Sequence, residues 1–287
     1  MPKDARDSHG IMYLSLVRRE GGEPILGVPF HEMKSDPDLI AAFVHAIVVF
    51  ENQDLKTFQK EGYTVLIEGG QRILAFLFVD SSVDEGTCRA KLKRIISDFE
   101  NQYRPYLENW RGDIRHFRPF ALRILTEYPY EEIGLDLVPR PVKGKTDHDT
   151  ITDSIPWSVG STDQKLKTIL GFVNGKRTVR EIVDASGFDR RETTALLSIL
   201  KKFGIITLSR PLSRDSILIR RSEPTPVMRV TYGDQLSALL ELCDGTRTFG
   251  QICEKLPYTY DVARTVTQAL IDSGVIGFVD DAEAAEG

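Results

Sequence analysis

Along the first third of the chain, apolar and polar positions fall into short alternating runs separated by turn residues. Ile11 to Val17 and Pro24 to Phe30 flank Gly21-Gly22 and read as a hairpin. Ser35-Asp36-Pro37-Asp38 then opens a helix, with Ser35 as the cap and proline in the first turn; Leu39, Phe43, Ala46, Ile47 and Phe50 line one face of it. The strand period returns from Leu55 to Asp80 as LKTFQKEG, YTVLIEG and RILAFLFVD, the last two joined by a tight turn at Gly69-Gly70. Ile73, Ala75, Leu77 and Val79 alternate with Leu74, Phe76 and Phe78, so this strand is apolar on both faces and is predicted to be central. Asp84 to Leu107 and Pro119 to Tyr128 are predicted helices, giving the order ββαβββαα.

The pattern in the second half is written twice. Sliding the stretch from Leu166 to Leu208 by 70 positions places it, without a gap, over Leu236 to Phe278. Identities fall at Leu166/Leu236, Leu170/Leu240, Gly175/Gly245, Arg177/Arg247, Thr178/Thr248, Ile182/Ile252, Leu200/Leu270, Gly204/Gly274 and Ile206/Ile276, and apolar residues coincide at many positions between them. Each copy reads as three short helices and a strand. The first helix stops at Asn174-Gly175, where glycine tolerates a left-handed cap. Thr178 with Glu181 forms a capping pair for the second helix, and Asp189 caps the third, which carries Ala195, Leu196, Ile199 and Leu200 on one face. Ile205, Ile206 and Leu208 continue as a strand, with Ser216 to Arg221 as its expected hairpin partner. That plan is a winged helix-turn-helix, made in tandem. Arg177 and Arg247 are expected to hold a carboxylate or helix end. Pro257 stands where the first copy has Gly187, so the approach to the third helix must differ.

The expected organisation is an N-terminal domain over residues 1–130, a linker over 131–161, a first winged helix over 162–221, a second over 222–280 and an acidic tail over 281–287, α+β in class. The linker is proline-rich, with Trp157 as a candidate anchor onto the first repeat. Asp147-His148-Asp149 reads as a solvated loop, because three consecutive residues do not make a metal cage.

Charge bears on what the repeats bind. The net charge of −5 conceals +7 over residues 156–221 (13 Lys/Arg against 6 Asp/Glu) and −7 over residues 222–287 (4 against 11). Only the first copy suits a phosphate backbone, and the candidate contacts are Arg190, Arg191, Lys201 and Lys202 at the ends of its third helix. Few side chains remain between them for base edges, and the opposite signs can equally satisfy each other. At 41% hydrophobic and 28% charged the composition is ordinary for a globular protein. The longest apolar run, Ile40 to Phe50, is too short to cross a bilayer, and the polar leader lacks a signal-like segment, so a cytoplasmic location is expected. Three cysteines do not make a disulfide framework, and Cys243 and Cys253 sit at apolar helical positions. The chain carries no phosphate-binding loop, nucleophile elbow or H-E-x-x-H, and its five histidines are dispersed. No cofactor or metal is expected.

The ββαβββαα order over about the first 130 residues resembles the longin fold, a five-stranded antiparallel sheet between helices. The hairpin EGGQRILAFLFVD is similar to the longin hairpin of nitrogen permease regulator 2-like proteins, which also place winged-helix modules after a longin domain. The resemblance implies a non-catalytic adaptor or regulator that docks a small GTPase, or a longin or roadblock partner, through the sheet edge or the first helix, with dimerisation through residues 1–130. It also makes Arg72 the candidate arginine finger, since that residue follows Gly69-Gly70-Gln71 and begins a rigid apolar strand. The plainer role for Arg72 is to keep a hairpin edge soluble. The other functional class is a transcription regulator whose basic winged helix reads DNA while the N-terminal domain senses or dimerises.

Overall fold

The computed structural model describes residues 10–31, 33, 36–50, 55–60, 62–80, 82–142, 144–145, 154–156 and 160–279. Two compact units follow one another, Met1–Ser209 and Arg210–Gly287. The class is α+β, as the alternation of patterns predicts.

In the first unit, strands β1 (Ile11–Arg18) and β2 (Pro24–Pro29) precede helix α1 (Pro37–Phe50). Strands β3 (Thr57–Lys60), β4 (Tyr63–Gly69) and β5 (Ile73–Val79) come next, followed by α2 (Glu85–Glu108), a 3-10 turn at Arg115–Phe120 and α3 (Ala121–Glu127). The five strands form one antiparallel sheet in the order β2-β1-β5-β4-β3. All of β5 is buried, and it holds the middle place that its two-sided apolar pattern predicts. The two-residue period of a strand separates its side chains. Ile73, Ala75, Leu77 and Val79 share a core with Leu92, Ile95 and Phe99 of α2, while Leu74, Phe76 and Phe78 share another with Ala41 and Val44 of α1. Asp84 caps α2 by accepting from Thr87 N–H at 3.0 Å. The helix departs from helical geometry at Tyr103, two residues before Pro105, whose ring removes a backbone donor.

The first repeat belongs to the same unit and consists of α4 (Ser161–Phe172), α5 (Val179–Ser186), α6 (Arg190–Lys202) and β7 (Ile206–Ser209). Its local signals appear as expected. Thr178 and Glu181 form a reciprocal capping box, Asp189 caps α6, and Gly187 ends α5 in the left-handed region at φ 74°. The partner of β7 differs from expectation. It is β6 (Val138–Pro141), drawn from the stretch expected to be linker, where Ile133, Val138 and Ile155 are buried. Prolines disguise this strand, yet Pro139 and Pro141 alternate with Arg140 and Val142, and the Val142 N–H donates to Ile205 O at 2.9 Å. Both prolines therefore point their missing donors away from β7, the position an edge strand tolerates.

The second unit contains β8 (Ile217–Arg220), α7 (Pro226–Leu242), β9 (Asp244–Thr248), α8 (Phe249–Lys255), α9 (Tyr260–Asp272) and β10 (Ile276–Phe278). Strand β8, expected to return onto β7, pairs instead with β10 and β9. It is the second copy's own first strand. The hydrogen bonds repeat accordingly: Val142 N–H to Ile205 O and Arg221 N–H to Val275 O, Val179 N–H to Leu137 O and Phe249 N–H to Ser216 O, Arg180 N–H to Leu135 O and Gly250 N–H to Arg214 O. Within these pairs the later-lying residues keep the spacing of 70, whereas the leading strands are 79 apart. The duplication thus reaches back to about Leu135 and Arg214, with its connector shortened in the second copy. That shortened connector hid it from an ungapped comparison. α8 ends at an extended Leu256 ahead of Pro257, so the two approaches to the third helix do differ.

Candidate functional site

Helix α1 lies on one face of the sheet and is apolar almost throughout, with Asp38 its one charged residue besides the titratable His45. Ala41, Val44 and His45 are buried, and the His45 Nε2 lies 2.9 Å from Arg19 O in the β1–β2 turn. Gly22 sits against the imidazole at φ 72°, and a Cβ there would fall 2.5 Å from Nδ1, so both space and backbone require glycine. The face expected to carry Leu39, Phe43, Ala46, Ile47 and Phe50 points outward where its side chains are described: Leu39 is 71% exposed, and Ala42 and Ala46 are exposed beside it. The side chains of Phe43, Ile47 and Phe50, and the cap Ser35, lie outside the described residues. A surface helix ordinarily turns a charged face to water, and the described outward positions of α1 supply none beyond its first turn.

Arg72 occupies the turn between β4 and β5, beyond the opposite face of the sheet from α1. The Glu100 carboxylate holds the turn by accepting from the backbone N–H of Arg72 at 2.7 Å and of Ile73 at 3.1 Å. The Arg72 guanidinium is about half-exposed and meets Glu108, near the end of α2, at 3.2 Å. Arg19 adds a second cation, donating to Gly70 O at 2.5 Å. The turn is therefore held at its backbone, while the contact of the Arg72 side chain among the described residues is an exposed ion pair worth roughly 0–1 kcal/mol.

The four cations assigned to α6 part company. Arg190 and Arg191 are exposed at its start. At its end, Lys201 is paired with Glu131 at 2.5 Å, while Lys202 donates to Phe30 O at 3.3 Å and lies over the Tyr130 ring. Between them Thr193, Ala195, Leu196, Leu197, Ser198, Ile199 and Leu200 are all buried. Helix α6 packs on α3, so the helix that would enter a DNA groove is enclosed on the side away from its own repeat. The signal for this was the small, apolar middle of α6, wider than one repeat core needs.

No protein-family model and no curated protein matches this chain. The site must therefore be read from its own chemistry.

A pocket of about 380 Å³ opens beside the α3–α6 contact, lined by Arg123, Glu127, Thr162, Lys165, Arg191 and Glu192 among others. Its charges are largely matched. Arg123 bonds to Asp98 at 2.7 Å and to Glu127 at 2.8 Å, Arg94 meets Glu127 at 3.0 Å, and Lys165 pairs with Glu192. Cys88 and Cys243 are buried, and burial, helped by Asp244, pushes the Cys243 thiol up to about 12, which keeps it protonated at neutral pH. Arg247 pairs with Asp244, and Arg177 lies over the Phe172 ring at 5.8 Å, so both repeat arginines serve their local turns. Among the described residues no group of three His, Cys, Asp or Glu side chains is placed to hold a metal ion, and no helix is long and apolar enough to cross a membrane. Asp147-His148-Asp149, Trp157 and the acidic tail lie outside the described residues.

Proposed function

We propose that this chain is an adaptor or regulator with no reaction of its own, at most a GTPase activator, that docks a small GTPase, or a longin or roadblock partner, through a longin-like N-terminal domain, and that its repeats are winged-helix modules for protein assembly. The observation that carries the reading is the outward stripe of α1, Leu39, Ala42 and Ala46, which presents apolar surface on a helix already anchored by its other side. The sheet order β2-β1-β5-β4-β3 with helices on both faces accords with a longin-like platform. The burial of α6 favours assembly over transcription control, because a groove-reading helix needs its outer face free.

The double variant Leu39→Asp/Ala42→Asp tests this reading. Burying the leucine side chain at an interface is worth about 2 kcal/mol of apolar transfer, so its loss should weaken association roughly 30-fold. Affinity capture with the two chains in parallel should recover a small GTPase or a longin or roadblock protein on the native chain alone, with light scattering reporting any self-association. Identical captures and identical scattering would remove the assignment to α1.

Arg72 is the proposed arginine finger of this adaptor. Its rigid turn and weakly held guanidinium supply the mounting and the release that a finger needs. With a captured GTPase, Arg72→Ala should lower stimulated hydrolysis by about 10³-fold or more and leave binding nearly unchanged. Unchanged hydrolysis would retire the finger and leave the adaptor reading standing.

A further inference from the structure

The hairpin turn that carries Arg72 is tied to more of the molecule than its own closure needs. Gly70 N–H donates to Ile73 O at 2.9 Å, which already closes it. From α2, the Glu100 carboxylate accepts from the N–H groups of Arg72 and Ile73. It comes this close because residue 70 is glycine: a Cβ there would fall 2.3 Å from Glu100 Oε1 and 2.6 Å from Ile96 Cγ2. From the end of β1, Arg19 donates to the carbonyls. Its N–H reaches Arg72 O at 2.8 Å and its Nη1 reaches Gly70 O at 2.5 Å. An acidic clamp thus holds the donors of the turn and a basic clamp its acceptors, each meeting partial charge of the opposite sign.

The basic clamp is itself anchored in α1. His45 Nε2 lies 2.9 Å from Arg19 O, and because a carbonyl only accepts, the imidazole carries its proton on that nitrogen. His45 is buried on the inner side of α1, while Ala42 and Ala46 of the same helix face outward. The acids nearest in sequence, Glu20 and Glu23, both pair with Arg18, which leaves the Arg19 guanidinium to the Gly70 carbonyl. Arg19 therefore uses its N–H, its C=O and its side chain to join α1, the end of β1 and the β4–β5 turn. Fixing an arginine on a turn that already closes costs side-chain entropy. The effect is a backbone held from both faces of the sheet, the kind of support that sets the direction of a functional side chain.

We propose that Arg19 is the positioning residue of Arg72 and makes the set of its turn depend on α1, so that the helix which docks a partner and the side chain offered to that partner are mechanically joined. His45 fixes the Arg19 carbonyl, and with it the peptide from which the Arg19 side chain leaves. The guanidinium in turn holds the Gly70 carbonyl, two residues before Arg72. A shift of α1 over the sheet carries His45 with it and loosens this hold, while Glu100 keeps its own from the other face. Arg72 then leaves the turn over a wider range of directions. The link rests on the readings of α1 and Arg72 above for its use, but not for its existence, which the free chain reports.

Amide hydrogen exchange of the full chain, followed residue by residue, is the test. Arg19→Met keeps the aliphatic stem and removes the guanidinium, His45→Leu keeps the bulk and removes the bond, and His45→Gln can still donate an N–H to the Arg19 carbonyl. Exchange at Arg72 and Ile73 should quicken about 10-fold or more in Arg19→Met and in His45→Leu, and stay near native in His45→Gln. Leu66 and Leu77, paired in the middle of β4 and β5, should be unchanged in all three. Unchanged exchange at Arg72 and Ile73 in either of the first two variants would overturn the proposal, as would an equal rise at Leu66 and Leu77, the mark of a general loss of stability. Exchange in His45→Gln as fast as in His45→Leu would do the same. With the GTPase captured as above, Arg19→Met should lower stimulated hydrolysis, keep GTPase binding, and add no loss in the Arg72→Ala chain. An equal loss in both backgrounds would show Arg19 acting without Arg72 and would also sink it. The exchange measurements use this chain alone, so failure of the α1 or Arg72 readings does not reach them.

Discussion

Phe99→Ala is expected to destabilise the first unit by about 3–5 kcal/mol, the range for emptying a buried aromatic site. Phe99 is fully buried, and its ring centroid lies 5.0 Å from Tyr103, 5.3 Å from Phe117 and 4.9 Å from Phe120. These rings come from α2 and from the 3-10 turn before α3, so the cluster joins the sheet's helical cover to the helix that supports α6. Neighbours held by so many mutual contacts cannot readily collapse into the space left behind. Against a typical total of 5–15 kcal/mol, the loss would take a large fraction of the unit's stability. Trp110 stacks on Phe117 at 5.9 Å and provides the fluorescence signal for denaturant unfolding. The transition of the second unit, which has its own core around Leu239, Phe249 and Leu270, should keep its midpoint when followed by circular dichroism. A change below about 1 kcal/mol in the tryptophan transition would show that the aromatic cluster does not bind these elements together.

Glu127→Gln should lower stability at neutral pH by about 1.5–3 kcal/mol, the range for hydrogen bonds to a charged group, and the difference from the native chain should close in acid. Burial by itself raises the carboxyl, but hydrogen bonds and charge from Arg123 and Arg94 outweigh it and bring it below the ordinary glutamate value. A carboxylate whose folded value is depressed contributes stability that is fully present above the unfolded value of about 4.3 and is lost as pH falls through the folded one. Glutamine keeps the shape and loses the charge, so its unfolding free energy lacks this component. Denaturation of both chains between pH 7 and 3 gives the comparison. Parallel curves would mean that Glu127 is not an ionised partner of the two arginines.

Much of the architecture was legible because its signals are local. The seven alternating apolar residues of β5, the Thr178–Glu181 capping pair and the glycines at Asn174-Gly175 and Gly204 act over a few residues and appear where expected. What escaped was relational. β6 hid behind two prolines whose alternation matters only once β7 is beside it, and β8 was joined to the strand before it in sequence instead of to β10, 56 residues further on. The candidate cations of α6 were identified correctly as charges, but periodicity does not show that Lys201 and Lys202 are occupied by Glu131, Phe30 and Tyr130. Likewise the apolar face of α1 could be listed residue by residue, while the side of the helix that meets the sheet depends on the tertiary packing of Ala41 and Val44.

The shared hydrogen-bond register of the two copies also has a practical side for anyone cutting this chain. Because β8 leads the second copy, a fragment begun at residue 222 would leave β10 with a bare edge, its donors and acceptors open to other chains, and would invite aggregation. A start at Arg210 keeps that edge closed. The difference in connector length between the copies was tolerated for the converse reason: lengthening a surface loop adds little entropic cost once its ends are fixed by strand and helix. Each copy is in this sense a cassette whose seams lie in front of its first strand, and those seams are where exchange between such chains would do least damage.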